Sequence, residues 1–75
     1  MEQLAKNLST LRGAKKLSRE KVSRVLELSA KTYERYEKNE RDPTAPTLVK
    51  LAGLYGVTLD QLVGLAPLPL EEDHR

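Results

Sequence analysis

Residues 18–37 read SREKVSRVLELSAKTYERYE, and the order of serines, apolar residues and bases in this stretch decides the architecture of the chain. Ser18 and Ser29 are N-cap residue types, each placed ahead of a short run with apolar residues at helical spacing. The spacing predicts two short helices with a tight turn at Glu27 and Leu28. In the first, Val22, Val25 and Leu26 are expected to face inward, and Ser23 lies on the same side as a small residue that admits a crossing helix. In the second, from Ala30 to Lys38, Tyr33, Tyr36 and Glu37 share a face, which leaves Ala30, Lys31, Glu34, Arg35 and Lys38 on the others. Asn39 follows, a residue that tolerates the left-handed conformation in which helices end.

Before this stretch, Leu4, Leu8 and Leu11 recur at i, i+4, i+7 and predict an amphipathic helix from about Gln3 to Lys15. Gly13 weakens its last turn by about 1 kcal/mol relative to alanine, and Lys15 and Lys16 suit the negative end of the helix dipole. After it, NERDP reads as a loop that Pro43 closes to further helix. Thr44 caps a fourth helix with Pro46 in its first turn and with Leu48, Leu51, Ala52 and Tyr55 as its buried stripe, ended by Gly56. Thr58 and Gln61, three apart, predict a capping box at the start of a fifth helix that carries Leu59, Leu62 and Val63. The expected organisation is one all-α domain over residues 1–65 and a tail over 66–75, APLPLEEDHR, read as extended or disordered.

A chain of 75 residues supports one domain and one modest core. With no cysteine and a single histidine, His74, thiolate metal sites, disulfides and histidine-based catalysis have no material, so no enzyme, metal or cofactor is expected. No apolar run nears the roughly 18 residues of a membrane span, and MEQLAKNL lacks the apolar core of a signal peptide, so an intracellular, cytoplasmic protein is expected. The net charge of +2 is unevenly spread. From Lys6 to Arg41 there are 11 bases against 5 acids, whereas from Asp42 onward there are 2 bases and 5 acids. The first part suits a polyanion and the second does not.

In order along the chain stand Leu11–Arg12, Leu17–Ser18, Ser29 with Thr32, Arg35–Tyr36–Glu37, Arg41–Asp42–Pro43, Leu48 with Leu51 and Ala52, and GVTLDQL from Gly56 to Leu62. With these spacings the run from Leu11 to Gly64 resembles the phage-repressor, Cro/Xre-type helix-turn-helix family. The resemblance implies a compact five-helix, lambda-repressor-like bundle whose second and third helices form the helix-turn-helix. It further implies a sequence-specific double-stranded DNA-binding regulator, a repressor, of prokaryotic or phage origin, with the third helix in the major groove. Residues matching Ala30, Lys31 and Arg35 then face base edges, and those matching Ser18, Arg19, Lys38, Asn39 and Arg41 approach phosphates. The chemistry agrees: Arg and Lys donate to guanine O6 and N7, and the Ala30 methyl suits a thymine methyl. The resemblance also implies an ion pair between Arg12 and Glu37.

The chain departs from the family pattern at two positions. Glu27 stands in the turn where many members have glycine, and Arg19 opens the second helix where members have glutamine. Tyr33 and Tyr36, interleaved with bases, carry a rival reading as stacking platforms for single-stranded nucleic acid, but their inward face beside Glu37 favours the core. Val57, Leu59, Leu62 and Val63 are either core or a surface for a second subunit, and a homodimer on a palindromic operator is expected to use them. The alternative from another class is a protein-interaction module of the same fold, an antitoxin or anti-repressor partner. A further one is an architectural DNA binder without sequence preference.

Overall fold

The computed structural model describes residues 1–70, which form five helices and no strand. They are α1 (Glu2–Ala14), α2 (Arg19–Leu26), α3 (Ala30–Glu37), α4 (Ala45–Tyr55) and α5 (Leu59–Val63). The last four each begin with a hydroxyl side chain, Ser18, Ser29, Thr44 or Thr58, that accepts from the backbone N–H three residues on. At Thr58 the Gln61 side chain returns the bond, completing the capping box.

All five described helices end in one way. The chain turns left-handed at Lys16, Glu27, Asn39, Gly56 and Gly64. The next residue's N–H then reaches the carbonyl five back: Leu17 to Arg12 at 3.1 Å, Leu28 to Ser23 at 2.8 Å, Glu40 to Arg35 at 2.9 Å, Val57 to Ala52 at 3.0 Å and Leu65 to Asp60 at 2.7 Å. At three of these joints the tripeptide pattern is the same: a left-handed residue, an apolar residue packed on the core, and a hydroxyl cap. They are Lys16–Leu17–Ser18, Glu27–Leu28–Ser29 and Gly56–Val57–Thr58. The second and third joints follow their helices directly, and the first comes one residue, Lys15, after α1.

Two of these joints hold a side chain in the left-handed region, where a Cβ is unfavourable, and Glu27 at φ 60° is one. Glu27→Gly is expected to raise stability by some tenths to about 1 kcal/mol, strain relief being offset in part by unfolded-state entropy. Paired thermal melts measure it, and a lower midpoint for the glycine variant refutes it.

The core joins Leu4, Leu8 and Leu11 of α1 to Val22 and Leu26, Tyr33 and Tyr36, Leu51, Ala52 and Tyr55, and Leu62. Helix α1 packs on α3 and α5, and α2 on α3 and α4. Val25, expected to face inward, is instead 52% exposed. The buried residues of α2 are Val22, Ser23 and Leu26, and Val25 lies about 100° around the axis from the middle of that arc. Leu62, expected at a subunit surface, has 0% exposure and belongs to the core. Leu59 is 44% exposed, and Val57 and Val63 are half-buried.

Asn7 lies on the apolar stripe of α1 and is buried. Its amide donates to the carbonyls of Gln61 at 3.1 Å and Leu62 at 3.0 Å and accepts from Gln3 Nε2 at 3.0 Å. It thereby clamps the end of a short helix, adding a donor to a Gln61 carbonyl that also accepts from the Gly64 N–H and supplying one to the Leu62 carbonyl. In the segment after α5, Leu68 packs against the core and the Ala66 N–H reaches the Asp60 carbonyl, so residues 66–70 run back along the bundle. The expectation for 71–75 lies outside the described residues.

Candidate nucleic-acid interface

Helices α2 and α3 meet across the Glu27–Leu28–Ser29 joint, and α3 is tied to the bundle along one side. Tyr33 is fully buried and Tyr36 nearly so, their rings edge to face with centroids 6.4 Å apart. The Tyr33 and Tyr55 hydroxyls lie 2.7 Å from each other and link α3 to α4. Burial first, and for Tyr33 also its bond to Tyr55, pushes both phenols above their usual pKa, so they stay protonated. Rings placed this way are closed to bases, which removes the stacking reading.

Glu37, at the end of the same face, has a side chain only 1% exposed. Arg12 of α1 lies against it, with Nε donating to Oε2 at 2.6 Å and a terminal nitrogen donating to Oε1 at 3.1 Å. The remaining terminal nitrogen of Arg12 donates to the Leu17 carbonyl at 3.1 Å, inside the joint before α2. Arg19 of α2 then donates from its Nε to Glu37 Oε1 at 3.0 Å. Burial raises the Glu37 pKa, and hydrogen bonds from Arg12, Tyr33 and Arg19 outweigh that, so it sits below the usual 4.5. One carboxylate thus joins α1, α2 and α3. The part of Arg19 in this cluster was missed by sequence reasoning, which read the arginine in place of a glutamine as a contact to phosphate or guanine; its reach to Glu37 is set by the packing of α2 on α3.

On the opposite side of α3, Ala30, Lys31 and Arg35 are exposed, and neither the Lys31 nor the Arg35 side chain has a hydrogen bond or ion pair among the described residues. Lys38 is exposed and pairs with Glu34 at 2.8 Å, one turn back. Ser18, Asn39 and Arg41 are exposed, and Arg19 is half-buried. Ser18 caps α2, and Asn39 is the left-handed residue after α3, at φ 60°. A rigid helix therefore carries free cations on its outer side, flanked by a capped helix N-terminus and further bases. Among the described residues no helix is long and apolar enough to cross a membrane.

Two capped helices across a tight joint, the second fixed by buried tyrosines and carrying Lys31 and Arg35 outward, make this a DNA-binding helix-turn-helix regulator. A family model described as Helix-turn-helix matches residues 8–62, from the second leucine of α1 through α5. The chain belongs to this family, the Cro/C1-type helix-turn-helix proteins. No curated protein and no solved structure was found to match it.

Proposed function

We propose that the protein is a sequence-specific repressor that lays α3 in the major groove of double-stranded DNA. Ala30, Lys31 and Arg35 meet base edges, and Ser18, Arg19, Lys38, Asn39 and Arg41 meet phosphates. The observation that carries this reading is the contrast between the two sides of α3. Tyr33, Tyr36 and Glu37 are fixed in the bundle, while the side chains of Lys31 and Arg35 extend from the other side without partners among the described residues. A side chain with no partner in its own chain gives up no contact when it binds a base.

One recognition helix reads only a few base pairs, and its phosphate contacts alone give weak affinity at physiological salt. We infer a symmetric dimer with α3 helices about 34 Å apart on a palindromic operator. With Leu62 buried, the pairing surface we infer uses Leu59 on α5 and Leu65 just beyond its end, both exposed.

Selection of binding sites from random DNA tests the reading. Arg35→Ala is expected to lose about 1–3 kcal/mol of affinity and to relax preference at one position of each half-site. Lys38→Ala should weaken all sequences alike and lower the salt slope by nearly one per subunit. An Arg35→Ala protein with the native preference refutes the base-contact assignment.

A further inference from the structure

We propose that Glu37 is a positioning residue for Arg19: its carboxylate holds the arginine by Nε and so presents the rest of the guanidinium to a DNA phosphate. The inference rests on the DNA-binding reading and adds to it why an arginine, and not simply a cation, opens α2. The Glu37 carboxylate is already compensated by Arg12, which lies against both of its oxygens. Arg19 brings a second cation to Oε1. The cluster therefore holds two positive charges and one negative, and the surplus sits on the more exposed partner, with Arg12 at 20% and Arg19 at 42%.

The contact with Glu37 uses only the Arg19 Nε. A guanidinium has four more N–H groups on its terminal nitrogens, and among the described residues those of Arg19 make no hydrogen bond. An arginine held at one edge keeps its plane fixed, and a fixed plane can meet two phosphate oxygens at once. The holding group is itself held, because Arg12 ties Glu37 to the Leu17 carbonyl next to the Ser18 cap. A lysine here would bring the charge without the planar hold.

The test compares native protein, Arg19→Lys and Arg19→Gln on the selected operator across a salt series, with thermal melts alongside. The Arg12–Glu37 contact survives in both variants, so both are expected to fold. Arg19→Lys should lose about tenfold in affinity with its salt slope kept, and Arg19→Gln at least as much with a slope lower by about one per subunit. A second measurement places Glu37→Gln in the native and Arg19→Lys backgrounds, where it should weaken binding in the first and add little in the second. Equal losses in both backgrounds mark a purely structural glutamate and overturn the proposal. So does an Arg19→Lys protein of native affinity, a comparison that decides even where Glu37→Gln does not fold. A native protein without DNA affinity fails before any variant is made, and overturns the DNA-binding reading together with this one.

Discussion

Arg12→Ala is expected to destabilise the fold by about 3–5 kcal/mol at neutral pH, a large share of what a domain this small has. The substitution leaves a carboxylate that is 1% exposed with Arg19 as its remaining ion-pair partner, and that arginine is 42% exposed and screened by solvent. It also strips the Leu17 carbonyl of its donor. Glu37→Ala should cost less, because the two arginines it frees keep access to water. The double variant Arg12→Ala/Glu37→Ala should be more stable than Arg12→Ala alone, since no buried charge is stranded. Because the native Glu37 pKa lies below its unfolded value, its contribution is present above about 4.5 and lost as pH falls through the folded pKa. Denaturant melts at pH 7 and at pH 3 to 4 check both points: the gap between native protein and Arg12→Ala should narrow in acid. A gap that is pH-independent, or a double variant weaker than Arg12→Ala, would falsify this account.

Leu62→Ala is expected to cost about 2–5 kcal/mol, the range for emptying a closed core site. Leu62 has 0% exposure, sits on a helix of five residues, and belongs to a helix held partly by Asn7 of α1 through the Gln61 and Leu62 carbonyls. A helix so short has little stability of its own and depends on its single buried residue. Leu59→Glu, on the same helix but 44% exposed, should leave the melting temperature of the monomer fold nearly unchanged while shifting the proposed dimer toward monomer. Melts and solution mass, measured on both variants, separate the roles. A Leu62→Ala protein as stable as native places the core elsewhere, and a Leu59→Glu protein with native mass in solution moves the pairing surface off α5.

The parts of the fold legible in the sequence are those fixed within four or five residues. Ser18, Ser29, Thr44 and Thr58 cap because a hydroxyl and the N–H three residues on are local partners, and the Thr58–Gln61 box follows from spacing alone. Tyr33 and Tyr36 were legible as core because they share a face with Glu37 and not with the bases. What was not legible depended on angles between helices. Val25 and Leu26 are neighbours of similar apolarity, and only the approach of α3 and α4 decides that Leu26 is buried and Val25 half exposed. Leu62 and Leu59 pose the same ambiguity on α5. Asn7 was overlooked because its one helical partner, Gln3, gives no reason to bury it, and its two acceptors stand more than fifty residues away. Lys16 gave no sign of its left-handed backbone, since lysine has no preference for it. For the interface, the free cations on α3 were legible from periodicity, whereas the sharing of Glu37 between two arginines needed the folded geometry.

The outer side of α3 has a consequence for how such a protein changes over generations. Ala30, Lys31 and Arg35 add nothing to the core, and the side chains of Lys31 and Arg35 hold no bond among the described residues. Substitutions there leave the tyrosines, the buried glutamate and the three joints untouched, and surface changes of this kind usually cost under about 0.5 kcal/mol. If α3 reads bases as proposed, mutation can rewrite what it reads without first weakening the scaffold that presents it, so one stable bundle can be retargeted from operator to operator by a few exposed residues.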